Sequence, residues 1–118
     1  MIKTGGIIFS RMNSRRLPGK ALKMVSGKML LERVIEASLK IKQINHICVA
    51  TSLNPEDDIL EKYANSWGID VFRGNEYDVA MRAFNASVRY GYESFARICG
   101  DRPFIDYSIY DELIQIHN

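Results

Sequence analysis

The chain is poor in the residues that define several whole classes of protein. Two cysteines among 118 residues, Cys48 and Cys99, are too few for a disulfide framework or a structural zinc site. Each lies in an apolar run, so both read as reduced core thiols. Three prolines and eight glycines exclude collagen-like and low-complexity chains, and 47% hydrophobic residues excludes a disordered one. No apolar run approaches the roughly 20 residues of a membrane-spanning helix. The small and apolar stretch Gly5–Ser10 is shorter than the apolar core of a signal peptide, about 7–15 residues, and Arg11 ends it. A cytoplasmic protein is expected. Only two histidines occur, His46 and His117, without metal-ligand spacing, and both read as structural. The single tryptophan and the tyrosines fall at helical spacing or at helix ends, not interleaved with cations as a base-stacking surface requires.

What is present is the make-up of one globular domain with one core. The net charge of +2 hides an asymmetry. Residues 1–40 hold nine Lys and Arg against two acids, a surplus of +7, and residues 41–118 hold seven against twelve, a deficit of −5. A basic front segment points to an anionic partner: a phosphate group, a nucleic acid or an acidic membrane surface. A nucleic-acid module would need a basic stripe beyond residue 40, and none is present. No nucleic acid and no membrane are expected as partners.

Apolar periodicity alternates strand with helix. Gly5–Ser10, Ile44–Thr51, Ile69–Phe72 and Phe95–Cys99 read as short buried strands. Residues 11–27 read as a long loop. Lys28–Lys42 has helical spacing at Leu30, Leu31, Val34, Ile35, Ala37 and Ile41. Asn54-Pro55-Glu56-Asp57 reads as a helix start with Asn54 as cap, and Ile59, Leu60, Tyr63, Ala64 and Trp67 point inward. Glu76–Tyr90 reads as a third helix with Val79, Ala80, Ala83, Phe84 and Val88 on its core face, and Tyr107–His117 as a fourth. The expected fold class is therefore α/β: a Rossmann-like three-layer α/β/α arrangement on a mainly parallel sheet of about four strands. Ligands of such sheets sit beyond the carboxyl ends of the strands, where strand order reverses.

Two loops at such ends carry unusual chemistry. After the first strand comes Ser10-Arg11-Met12-Asn13-Ser14-Arg15-Arg16-Leu17-Pro18-Gly19-Lys20. Its four cations suit phosphate: arginine as a planar fork, lysine as a mobile charge, with a glycine that lets the backbone approach. It is not a P-loop, because Ser14 stands where the first glycine belongs and Ala21 where a hydroxyl belongs. A solvated basic loop is the plain alternative. After the fourth strand comes Gly100-Asp101-Arg102-Pro103-Phe104-Ile105-Asp106. Asp101 at the strand tip suits Mg²⁺, which takes few protein ligands and bridges to phosphate oxygens. Simple turn chemistry is the alternative there, and Asp106 reads as a helix cap.

Together, Ser14-x-Arg16-Leu17-Pro18-Gly19-Lys20 and Gly100-Asp101-x-Pro103 resemble the sugar-acid cytidylyltransferases, the acylneuraminate and 3-deoxy-manno-octulosonate types. Val49-Ala50-Thr51-Ser52-x-Asn54-Pro55-Glu56-Asp57-Asp58 and Phe72-Arg73-Gly74 are most similar to the spore-coat-polysaccharide branch. The resemblance implies a nucleotide-diphospho-sugar transferase-like fold that transfers CMP from CTP to a sugar acid and releases pyrophosphate, with Mg²⁺ as cofactor. It implies Arg11, Arg16 and Lys20 as catalytic cations on the triphosphate. It implies Ser10, Ser14, Arg73 and Arg97 as nucleotide-binding residues and Asp101 as the metal ligand. Family domains are longer, so residues 1–118 are expected to form a single nucleotide-binding domain without the acceptor-binding half. An apolar face left uncovered there would favour a homo-oligomer.

Overall fold

The computed structural model describes residues 2–13, 19–74 and 78–100. Four parallel strands form the central sheet: β1 (Ile2–Phe9), β4 (His46–Ser52), β5 (Asp70–Gly74) and β6 (Tyr92–Cys99), in spatial order β5-β4-β1-β6. Two further strands, β2 (Met24–Val25) and β3 (Lys28–Met29), pair as a small antiparallel hairpin. Three helices, α1 (Leu30–Leu39), α2 (Asp58–Ser66) and α3 (Val79–Tyr90), connect the parallel strands.

The near-continuous apolar runs of β1 and β4 belong to strands covered on both faces. On one face Ile8 and Val49 pack with Leu31, Val34 and Ile35 of α1 and Leu60 and Ala64 of α2. On the other, Ile7, Cys48 and Ala50 pack with Ala83 and Ala86 of α3. The chain runs outward from β1 to β4 and β5. It then crosses to the opposite face through α3 and returns to the far side of β1. Strand order thus reverses beside β1, and the expected three-layer architecture is the one observed.

Several local expectations are corrected. Residues 11–27 are not one loop: a 3₁₀ turn (Lys20–Leu22) and the hairpin occupy their second half. Two-residue strands carry no periodicity that a sequence could display. Helix α1 begins at Leu30 rather than Lys28, which belongs to β3. Asn54 makes no side-chain cap, because Pro55–Asp57 is a 3₁₀ turn; its backbone N–H instead donates to Ser52 Oγ at 3.1 Å. Ile59 is partly exposed. Helix α3 starts at Val79, capped by Asp78, whose carboxylate accepts from the Met81 N–H at 2.9 Å.

The face of α3 also differs. Phe84 and Val88 are 62% and 66% exposed, while Arg82, Ala83 and Ala86 are buried. The two alanines let the helix approach the sheet closely, which turns the bulky residues outward. Phe84, Val88 and Phe95 line an open groove along the edge strand β6. Cys99, expected in the core, is exposed at the end of β6. The fourth helix, Tyr107–His117, and the Asp106 cap lie outside the described residues.

At the amino ends of the strands Tyr92 packs flat over Gly5, where any Cβ would lie 2.2 Å from its ring. Its hydroxyl lies 2.7 Å from His46 Nδ1, and His46 Nε2 lies 2.8 Å from Asp70 Oδ2. Burial pushes the neighbouring Cys48 thiol up from 9.0 to about 11, against a hydrogen bond with Tyr92 that lowers it. Burial likewise pushes Tyr90 up to about 12 and raises Tyr92. An unfolded thiol ionises near pH 9, whereas buried Cys48 keeps its proton to about pH 11. Its contribution to stability is complete below pH 9 and lost as pH rises through about 11, a loss of about 3 kcal/mol. Urea midpoints are therefore expected to fall steeply between pH 9 and 11, and less steeply in Cys48→Ala. Equal slopes in the two proteins would remove Cys48 from the account.

Candidate nucleotide site

The site lies at the carboxyl ends of β1 and β6. These strands pair in parallel register, Phe9 opposite Cys99. Beyond the ladder, the Gly100 N–H donates to the Phe9 carbonyl at 2.9 Å. A Cβ on Gly100 would lie 2.4 Å from that oxygen and 2.9 Å from Ser10 Cβ. Only glycine lets the two exits run this close, so at Gly100 the chain lies beside Ser10. The two unusual loops start from one place, as the strand order requires.

On the β1 side Ser10 is buried, and its N–H donates to the Ala50 carbonyl at 3.2 Å, so the chain stays seated between β4 and β6. Arg11 follows, exposed. Met12 is held from both sides: its N–H donates to Asp57 Oδ1 at 2.7 Å and its carbonyl accepts the Gly19 N–H at 2.9 Å. Gly19 adopts φ +77°, the left-handed region that glycine reaches without strain, and redirects the chain into the turn carrying Lys20. Buried Ala21 anchors that turn in the α1–α2 core. Arg11 and Lys20 therefore adjoin Met12 and Gly19, two residues tied to each other by a backbone hydrogen bond.

Arg73 and Arg97 lie elsewhere around the exits. The Arg73 Nε donates to the Ser52 carbonyl at 2.7 Å and Nη2 to the Asn54 carbonyl at 2.6 Å. Its Nη1 donates to Asp58 at 2.6 Å and to Glu61 at 3.4 Å. Burial works against its charge, but Asp58 and then Glu61 outweigh it and raise the guanidinium pKa. Arg73 thus ties the end of β5 to the β4–α2 connection. The Arg97 guanidinium lies 5.3 Å from the centre of the Phe9 ring, and that of buried Arg82 lies 5.6 Å away. Both sit on the α3 face, opposite the turn of Lys20. Ser14, Arg16 and Asp101 lie outside the described residues. Among the described residues no group of three His, Cys, Asp or Glu side chains is placed to hold a metal ion.

Periodicity and charge spacing assign no role to Asp57, Ser52 or Arg82, although Ser52 and Asp57 lie in the stretch that resembles the spore-coat-polysaccharide branch. Asp57 reads as one acid of a helix start, and only a long-range partner, 45 residues earlier, reveals its burial.

A family profile described as cytidylyltransferase matches residues 6–118. The chain belongs to the cytidylyltransferase family. It is 36% identical over 115 residues to the spore coat polysaccharide biosynthesis protein SpsF of Bacillus subtilis, covering 94% of this chain and 48% of that protein. A solved cytidylyltransferase from Leptospira borgpetersenii superposes with a TM-score of 0.91 at 32% identity, over 98% of this chain and 49% of that one. A CMP:2-keto-3-deoxy-manno-octonic acid synthetase solved in complex with CTP superposes with a TM-score of 0.79 at 25% identity, over 96% and 46% of the two chains. The chain therefore spans about half the length of the relatives it matches. No helix among its described residues is long and apolar enough to cross a membrane.

Proposed function

We propose that the chain binds CTP at the joined exits of β1 and β6, as the nucleotide-binding domain of an enzyme that transfers CMP to a sugar acid. The observation that carries this reading is the juxtaposition of the two strand exits: Gly100 lies against Phe9 and Ser10, and Arg11 and Lys20 flank the hydrogen-bonded pair Met12 and Gly19. The family, and the CTP complex of a structural neighbour, favour CTP over other nucleotides. In the reaction a sugar hydroxyl oxygen attacks the α-phosphorus of CTP. The bond to the β-phosphate oxygen breaks, pyrophosphate leaves with that electron pair, and the hydroxyl proton passes to solvent or a base. Such transfers are chiefly positioning and charge stabilisation. Arg11, Arg16 and Lys20 would oppose the charge on the departing pyrophosphate. Ser10 and Ser14 would line the base or phosphates, and Arg73 from the end of β5 and Arg97 from the α3 face would be outlying nucleotide contacts. Mg²⁺ is the expected companion of CTP, with Asp101 as the residue that would hold it; the described residues supply no metal cluster. The relatives' names support a place in activated-sugar and surface-polysaccharide synthesis, for which a cytoplasmic location is proposed.

The half-length match favours a second reading, in which this polypeptide binds CTP without turning it over. Calorimetry with CTP and Mg²⁺, with ATP and GTP as comparisons, tests binding first. A pyrophosphate-release assay with sugar acids follows. Heat selective for CTP is expected. Heat without release supports the binding domain; release supports a complete enzyme; no heat with any nucleotide overturns both.

A further inference from the structure

Asp57 is a carboxylate only 1% exposed, and the function proposed above makes no use of it. Its Oδ1 accepts the Met12 N–H at 2.7 Å and its Oδ2 accepts the Ser52 hydroxyl. Ser52 is itself buried at the end of β4, and its Oγ accepts the Asn54 N–H. The Asp57 N–H donates to the Asn54 carbonyl at 3.0 Å, so the aspartate is fixed at its backbone as well. From Met12 the chain of bonds continues through the Met12 carbonyl to the Gly19 N–H at 2.9 Å. One buried carboxylate thus links the entrance of α2, the end of β4 and both ends of the segment between Arg11 and Lys20.

Burying a carboxylate is costly unless its lone pairs are filled, and charge-assisted bonds to an N–H and a hydroxyl fill them. Electrostatically the position is a poor one. A negative charge under a loop that binds a polyphosphate repels the ligand. Its benefit must then be geometric: it fixes the backbone from which two cations depart. We infer that Asp57 is a positioning residue for nucleotide binding, holding Met12 so that Arg11 and Lys20 leave the chain at fixed places on one triphosphate. This rests on the CTP reading above.

The two effects have opposite signs, and this makes the inference testable. Asp57→Asn removes the charge but keeps an oxygen for the Met12 N–H and an amide for Ser52 Oγ. Asp57→Ala removes every acceptor. Three quantities are measured on the 118-residue chain: hydrogen exchange at the Met12 amide, CTP affinity by calorimetry well below the melting temperature, and the melting temperature. Exchange at Met12 is expected to quicken at least tenfold in Asp57→Ala and less in Asp57→Asn. CTP affinity is expected to fall roughly tenfold to a hundredfold in the alanine variant, with partial rescue in the asparagine variant. A lower melting temperature with unchanged CTP affinity would mean a purely structural role and overturn the inference. Tighter CTP binding by Asp57→Asn would show that charge dominates geometry and overturn it too. If the alanine variant fails to fold, the asparagine variant carries both tests. If the unaltered chain gives no heat with CTP, the CTP reading fails. Met12 exchange then decides Asp57 alone: quickened exchange supports the pin, and unchanged exchange removes it.

Discussion

Gly100→Ala is expected to lower stability by about 3 kcal/mol and to weaken CTP binding together with it. The new methyl group would lie 2.4 Å from the Phe9 carbonyl oxygen, 3.2 Å from its carbon and 2.9 Å from Ser10 Cβ. Two of these three atoms are backbone, and that backbone has little freedom to yield. Phe9 is paired with β4 on one side and β6 on the other, and the Ser10 N–H is tied to Ala50. Overpacking costs about 1–3 kcal/mol where side chains can adjust, and a rigid obstacle puts this site at the upper end. For a chain of this size the melting temperature should fall by roughly 10 °C. Gly68→Ala is the comparison. Gly68 has φ +77° with nothing within 4 Å of an added methyl group, so alanine there is strained only by its backbone conformation, about 1 kcal/mol. Equal melting temperatures for the two variants would mean that β1 and β6 separate easily at their exits. The close approach of the two loops would then lose its physical basis.

That approach was legible in the sequence because it follows from topology. Buried parallel strands such as Ile7-Ile8 and Cys48-Val49-Ala50 announce themselves as apolar runs, and right-handed crossovers leave few strand orders. Once β1 and β6 are neighbours, Arg11 and Gly100 must start from the same edge. Features set by one long-range partner were not legible. Phe84 and Val88 are as apolar as any core residue, and only the close seating of Ala83 and Ala86 turns them outward. Arg73 stands at a strand end, where a cation suggests a ligand, yet its guanidinium holds two carbonyls and two carboxylates of its own fold. Asp57 looks like any acid in a first helical turn, until Met12 is found against it.

Arg11→Ala and Lys20→Ala are each expected to weaken CTP binding by this chain roughly tenfold to a hundredfold, the loss of one hydrogen bond to a charged group. In a full-length relative carrying the equivalent change, the expected loss is in turnover, roughly 10²–10³, because the charge they oppose grows as pyrophosphate departs. Arg11 is exposed, and the turn carrying Lys20 is anchored by Ala21 and by the Gly19–Met12 hydrogen bond. Melting temperatures should therefore stay within a few degrees of the unaltered chain. Salt provides an internal check: the unaltered chain should lose CTP affinity as ionic strength rises, and each variant should lose less. The two residues leave opposite sides of the pinned Met12 and would meet one ligand. Their combined loss should then fall short of the product of the separate losses, as expected for groups that share a partner. Variants that bind CTP as tightly as the unaltered chain would return the basic segment to solvent and leave the β6 exit to account for nucleotide binding alone.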